Sequence, residues 1–221
     1  MVTSTVTKPH QRYHLANGDR IPGVTTILDI INKPALVPWG NKLGFQGINS
    51  TERLNYLADA GTLAHALIAQ RLGGDVADYA GYAPDQVCMA ERALSGFYAW
   101  SEGKALEAHE LERSLTSERY RYGGTLDALL VVGGRPVLVD FKTSSRIYDD
   151  HLFQLAAYHQ LLTENAYTVD GAMVLRLSRD EAGEWSERVL FGPEIEPYFA
   201  VFRCALDLHN AIKLTTKRGA R

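Results

Sequence analysis

Two acids and a lysine stand out by type and spacing. Asp127 lies at the start of the short apolar run Leu126–Val132, and Asp140-Phe141-Lys142 closes the next run, which begins at Pro136. Gly133-Gly134 joins the two runs, the signature of a tight hairpin. If that pair is a two-residue turn, Val132 pairs with Arg135, and the register places Asp127 directly across from Asp140. A three-residue loop would shift the pairing by one. Opposed residues have β-carbons ~5 Å apart, and two ionised carboxylates at that distance repel by about 3 kcal/mol even at an effective dielectric of 20. Side chains alternate along a strand, so Lys142 projects from the same face as Asp140. One chemistry that explains paired acids there is a divalent cation held by hard oxygen ligands, which suits Mg²⁺. The plainer account puts both acids at solvated strand ends, with Lys142 as their ion-pair partner. The hairpin alone supports both.

The elements that must position these residues follow from pattern. Tyr13–Ile21 carries Asn17-Gly18 between short runs and reads as a hairpin. Val24–Leu28 reads as a capped helical turn after Pro22-Gly23, and a helix starts near Trp39, beyond Pro34 and Pro38. A longer helix takes Ser50 or Thr51 as N-cap and runs to about Leu72, with an apolar stripe of Leu54, Leu57, Ala58, Gly61, Ala64, Ile68 and Leu72 that includes His65. Pro84 opens a further helix whose buried face is Val87, Ala90, Leu94, Phe97 and Trp100. From Ala105 the texture changes to strands. Leu126, Ala128, Leu129, Leu130, Val137, Leu138 and Val139 are apolar on both faces, as in a central strand covered on both sides. Ile147–Thr163 reads as a helix, Gly171–Leu177 and Trp185–Phe191 as strands. Glu194–Leu214 reads as an amphipathic helix with Phe199, Phe202, Leu206 and Ile212 inside. Helices first, then a mixed sheet crossed by a helix, imply one α/β domain over 1–221. Its parts are an N-terminal hairpin and helices (1–104), the sheet that carries Asp127, Asp140 and Lys142 with its crossover helix (105–192), and a C-terminal helix with a basic tail of Lys213, Lys217, Arg218 and Arg221 (193–221).

Composition narrows the function classes. At 221 residues, 46% hydrophobic and 22% charged, the chain is neither disordered nor low-complexity. A net charge of −3 excludes a wholly basic nucleic-acid coat but not a local basic groove. Two cysteines, Cys88 and Cys204, cannot build a four-cysteine zinc site or an iron–sulfur cluster. No Walker A loop is present, so no nucleotide cofactor is expected. The start lacks a secretory pattern and no window is apolar enough to span a bilayer. The expectation is a cytoplasmic protein, in a bacterium or a phage-infected host cell, without membrane partners.

Asp127 followed thirteen residues later by Asp140-Phe141-Lys142-Thr143 resembles the signature of PD-(D/E)XK nucleases. Gln154-Leu155-Ala156-Ala157-Tyr158 is similar to the QxxxY motif of the RecB-like branch, and Gly61-Thr62-Leu63-Ala64-His65 to that branch's upstream helix motif. Glu112 matches an acidic position on the strand before the motif Asp, and Val24–Leu28 resembles phage-encoded, stand-alone members. The four cysteines that many members carry are lacking. The resemblance implies a restriction-endonuclease-like core, a central mixed sheet flanked by helices. It also implies a nuclease that leaves 5′ phosphates, most readily an exonuclease of phage or bacterial recombination, repair or replication. An endonuclease of the same fold, or an inert DNA-binding module, stays open. DNA would be the substrate, and a recombination or single-strand-binding protein a candidate partner. Asp127, Asp140, the Phe141 backbone carbonyl and His65 would bind Mg²⁺ or Mn²⁺, with Glu112 the extra ligand of any second metal. Lys142 would orient the attacking water, and Gln154 and Tyr158 would face the scissile phosphate. Read without the resemblance, His65 is a core histidine, Glu112 one acid of a charged run, Tyr158 core and Gln154 helix surface; His151 lies near the same face.

Overall fold

The structure, a computed structural model, describes residues 11–219, with side chains to residue 216. Lys217, Arg218 and Arg221 of the expected basic tail therefore lie outside the described side chains, and Lys213 is exposed.

The chain opens with a two-stranded hairpin, β1 (Tyr13–His14) and β2 (Arg20–Ile21), turned by Gly18 at φ 84°. Three helices follow: α1 (Val24–Leu28), α2 (Leu36–Phe45) and the 22-residue α3 (Ser50–Arg71). Two details differ from expectation. Pro38 sits inside the first turn of α2, where its missing N–H costs nothing, rather than before it. Asn49 caps α3, its side chain accepting from the Thr51 and Glu52 N–H groups; Ser50 is already helical. The buried face of α3 is also narrower than the predicted stripe. Ala60, Leu63, Ala64, Leu67 and Ile68 are buried, whereas Leu54 and Ala58 are exposed because the first turns of the helix extend past the sheet.

After α4 (Pro84–Ser101) come β3 (Leu106–Ser117), β4 (Tyr122–Val132) and β5 (Arg135–Lys142). Helix α5 (Asp149–Glu164) then leads to β6 (Gly171–Leu177) and β7 (Trp185–Phe191), and α6 (Glu196–Gly219) ends the chain. On α4, Ala90, Phe97 and Trp100 are buried as expected, while Val87 and Leu94 are half-buried. The five strands lie in the order β3-β4-β5-β6-β7. Only β5 and β6 run parallel, and a parallel pair requires a crossover, which α5 supplies. The fold is thus the expected α/β class, a five-stranded mixed sheet flanked by helices.

Each face of the sheet has its own apolar core. One is closed by α1, α5 and α6 and includes Leu126, Leu138, Leu155, Leu161 and Phe202; the other is closed by α3 and α4 and includes Leu63, Phe97, Val137, Val139 and Phe141. Covering both faces is why β4 to β6 read as unbroken apolar runs. Ile212 departs from prediction, because α6 outruns the sheet after Leu206 and leaves Leu208, Ile212 and Leu214 exposed. The Tyr122 hydroxyl donates to the Ala157 carbonyl at 2.9 Å and ties α5 to β4. Among the described residues no helix is long and apolar enough to cross a membrane.

Candidate active site

The hairpin register is the one a two-residue turn gives. Val132 pairs with Arg135 and the ladder runs to Ala128 opposite Val139. It stops one residue short of the two acids. There the Phe141 N–H donates not to a backbone carbonyl but to Asp127 Oδ2, at 2.8 Å. Asp127 has turned its carboxylate into the ladder, and its Oδ1 lies 3.3 Å from His65 Nδ1 on α3. Asp140 instead shares the parity of Leu138 and faces α5, with Lys142 Nζ 2.6 Å from its Oδ2. Each acid therefore has its own partner, His65 for Asp127 and Lys142 for Asp140, and the two carboxylates do not simply oppose each other across the hairpin.

Neither acid is at a solvated strand end. Asp140 is 1% exposed. The Lys142 ammonium is the one cation against Oδ2, and Oδ1 is buried with no hydrogen-bond partner. Burial pushes the Asp140 carboxyl up, the nearby Asp127 charge adds to this, and Lys142 opposes it, leaving it at about 6. For Asp127 burial pulls upward, but the His65 charge and hydrogen bond, Lys142 and the Phe141 N–H together hold it below the usual carboxylate range. Burial alone would lower His65 and Lys142. The facing carboxylates, Asp127 for His65 and chiefly Asp140 for Lys142, raise both. Two acids in one pocket pushed in opposite directions is the pattern of a tuned site.

Close backbone approaches build this geometry. A β-carbon on Gly61 would lie 2.9 Å from Thr143 Oγ1, so the glycine lets α3 press its His65 turn against the end of β5. The Phe141 ring fixes His65 from below, edge-on at 6.0 Å, and is itself braced by Phe97 at 6.0 Å. On the other face, a β-carbon on Gly124 would come within 2.5 Å of Tyr158 Cε1. Gly124 thus lets Tyr158 lie flat on β4. The Tyr158 hydroxyl accepts from Gln154 Nε2 at 3.0 Å, joining the two residues that share a face of α5. Burial, and then the charges of Asp140 and Asp127, hold the Tyr158 phenol well above its ordinary value, so it keeps its proton.

Glu112 is not drawn into this cluster. The register of β3 places it beside Asp127, between the pairs Leu111–Ala128 and Arg113–Leu126, but its φ of 49° breaks the ladder and its side chain is exposed. It lines a separate cleft of about 310 Å³ with Ala66, Ala69 and Asp75. No hydrogen bond or ion pair joins it to Asp127, Asp140 or Lys142 among the described residues. His151, by contrast, belongs to the surroundings of Lys142. Burial and then the Lys142 charge lower it to about 4, so it is neutral near pH 7. Its Nδ1 accepts the Tyr148 N–H at 3.3 Å, which leaves the proton on Nε2. The sequence signal for His151 was only its place one turn before Gln154. Nothing in the sequence pointed to Tyr13, whose hydroxyl meets Thr125 Oγ1 at 2.9 Å and whose ring lies over Gly123, docking the N-terminal hairpin beside β4.

The donor set fits a hard divalent cation at its carboxylates: the buried, unpartnered Oδ1 of Asp140 next to Asp127. Among the described residues, however, no three His, Cys, Asp or Glu side chains stand as a ready-made metal group. A cation would thus draw on the two acids and backbone or solvent oxygen.

Fold and cluster together define an α/β protein whose buried acid–lysine–histidine centre sits where α3 and α5 converge on the end of β5. No protein-family model matches the chain, and no curated protein does. Among solved structures, the chain is similar to an alkaline exonuclease (LHK-Exo) from Laribacter hongkongensis, at 15% identity and TM-score 0.41 over 90% of this chain and 92% of that one. LHK-Exo in complex with dAMP gives 15% identity and TM-score 0.37 over 90% and 93%. SSO0001 gives 17% identity and TM-score 0.31 over 71% and 70%. Likeness at these scores is too distant to carry function across; the centre's own chemistry has to.

Proposed function

We propose that the chain is a divalent-metal-dependent deoxyribonuclease of the RecB-like PD-(D/E)XK type, hydrolysing phosphodiester bonds to leave 5′ phosphates. In this reading it acts as an exonuclease in phage or bacterial recombination, repair or replication. The observation that carries the reading is Asp140: a buried carboxylate whose Oδ1 has no hydrogen-bond partner, beside a second acid and a lysine that burial has not neutralised. Asp127, Asp140 and the Phe141 carbonyl would hold Mg²⁺ or Mn²⁺, with His65 as a further ligand or as the group that orients Asp127. When bound, the cation supplies charge neutralisation at the phosphate and a lowered pKa for attacking water. Lys142, kept protonated by the two acids, offers its positive charge where negative charge develops on the phosphoryl oxygens. Gln154 and the protonated Tyr158 stand as neutral donors on the same side, able to orient the phosphate without adding charge. Glu112 as ligand of a second metal would need its exposed side chain to swing inward.

End-labelled linear DNA and covalently closed circular DNA, incubated with Mg²⁺, Mn²⁺ or EDTA, test the reading. Linear DNA should be degraded with either metal to products bearing 5′ phosphates, the closed circle should survive, and EDTA should stop the reaction. Cleavage of the closed circle would make the protein an endonuclease. No product with any metal would leave a DNA-binding module.

His65 gives a separate expectation. His65→Leu should raise the metal concentration for half-maximal cleavage by about 10–100-fold, the usual cost of losing a group that ligates or orients a ligand. The fold should survive, because an apolar side chain still packs on Phe141. Superimposable metal titrations of wild type and His65→Leu, with a lowered melting temperature, would make His65 a packing residue only.

A further inference from the structure

Strands β5 and β6 are parallel, so the loops that leave them emerge at the same edge of the sheet, with Lys142 paired to Arg176 at the rim. That edge collects three arginines; the acids near them are Asp180, next to Arg179, and Asp85, which the Tyr56 hydroxyl meets. Arg146 lies in the β5–α5 loop and Arg179 two residues beyond β6. Arg53 lies on α3, two helical turns (~12 Å) before the Gly61 that touches Thr143. Among the described residues none of the three makes an ion pair, although the chain as a whole is slightly acidic. Two are held over tyrosine faces instead: Arg53 lies 5.5 Å from the Tyr56 ring centre and Arg146 4.8 Å from that of Tyr148. Tyr148 is fixed in turn by Ser145 Oγ at 3.1 Å, and Arg176 Nε holds the loop by donating to the Ser144 carbonyl at 3.0 Å. Burial lowers Arg179; the charge of the neighbouring Asp180 opposes this in part and that of Arg53 adds to it. Cations gathered against their own repulsion and preorganised on aromatic rings call for an anion.

We propose that Arg53 and Arg146, seated on Tyr56 and Tyr148, together with Arg179 form a tract that binds the backbone phosphates of a nucleic-acid strand flanking the bond at Asp140 and Lys142. The proposal rests on the nuclease reading for its ligand, and its test is separable from that reading. The guanidinium forks match phosphate oxygens two at a time. The tract reads backbone rather than bases, so it grips strands of any sequence and leaves position along the strand to the catalytic centre.

Fluorescence anisotropy with labelled single-stranded and duplex oligonucleotides, in EDTA and over a salt series, tests the tract without cleavage. Arg53→Gln and Arg179→Gln should each weaken binding by about 3–10-fold and lower the salt slope by about one, as for a lost phosphate contact. Arg179→Lys keeps the charge and should keep the slope while losing some affinity. Arg135→Gln, at the first residue of β5 and so at the opposite edge, should change neither. Under turnover the Gln variants should raise KM and leave kcat near wild type. Affinities and slopes of both Gln variants within twofold of wild type would overturn the tract even if the protein cleaves DNA. So would equal weakening by Arg135→Gln, loss of the slope in Arg179→Lys, or no binding by the wild type. The expected weakening in a protein that cleaves with no metal would keep the tract and overturn the nuclease.

Discussion

Replacing Asp140 with Asn is expected to raise the melting temperature in EDTA at neutral pH, and to abolish any further rise on adding Mg²⁺ or Mn²⁺. The Asp140 carboxyl sits at about 6 in the folded chain, against ~3.9 for an ordinary aspartate. Between those values the folded state holds a proton that the unfolded chain gives up, so stability falls as pH rises through that window and stays low above it. Asn mimics the protonated group at every pH. Its advantage should therefore be near zero at about pH 4 and reach about 2–3 kcal/mol above pH 6, or roughly 5–10 °C for a chain of this size. The pull of Lys142 is already contained in that balance, since Asp140 remains raised despite it. The neighbours act with other signs. His65, raised by Asp127, contributes stability below its unfolded value near 6.5 that is lost as pH rises through its folded one. Asp127, lowered, contributes above about 4 and loses it as pH falls. The difference between variant and wild type isolates Asp140 from both. A metal concentration about a hundredfold above Kd would stabilise wild type by about 2.7 kcal/mol. Thermal melts of the two proteins across pH, with and without metal, check all of this. A variant that melts below wild type at neutral pH, or that keeps the metal response, would sink the assignment.

Lys142→Ala carries the largest kinetic expectation, a fall in cleavage rate of roughly three orders of magnitude or more with DNA affinity within about tenfold. The ammonium is 2.6 Å from Asp140 and stays charged in spite of its burial. Its charge is worth most where negative charge develops during reaction, which lowers kcat rather than binding when it is lost. Single-turnover cleavage and anisotropy, measured side by side, separate the two. If affinity and rate fell together, Lys142 would be a phosphate clamp.

Much of this architecture is legible in local pattern. The Gly133-Gly134 pair offers the two-residue turn that sets the β4–β5 register, whereas the runs around it, apolar on both faces, do not distinguish that register from one shifted by a residue. The spacing of Gln154 and Tyr158 determines that they share one side of α5, and the strands β6 and β7 fall at the bounds read from the sequence. Residue types likewise mark Asp127, Asp140 and Lys142 as unusual. The helix boundaries were less legible: Asn49, rather than Ser50, caps α3, because several adjacent polar residues could serve and only backbone geometry chooses among them.

Tertiary structure decided the rest. Whether the two acids face each other or each find a partner depends on α3 pressing His65 against Asp127, and that depends on Gly61 meeting Thr143 across more than eighty residues of chain. Glu112 leaves the cluster through a backbone angle of 49° that no periodicity announces. The burial that raises Asp140 is imposed by two helical layers closing on the sheet from opposite sides. Arg53 and Arg179 are too distant in sequence to be read as neighbours. The charge of Arg53 reaches Arg179 because the fold brings α3 near the loop that leaves β6. Local sequence determines which side chains an element can present together; long-range packing determines which charges lose their water, and that loss gives this cluster its chemistry.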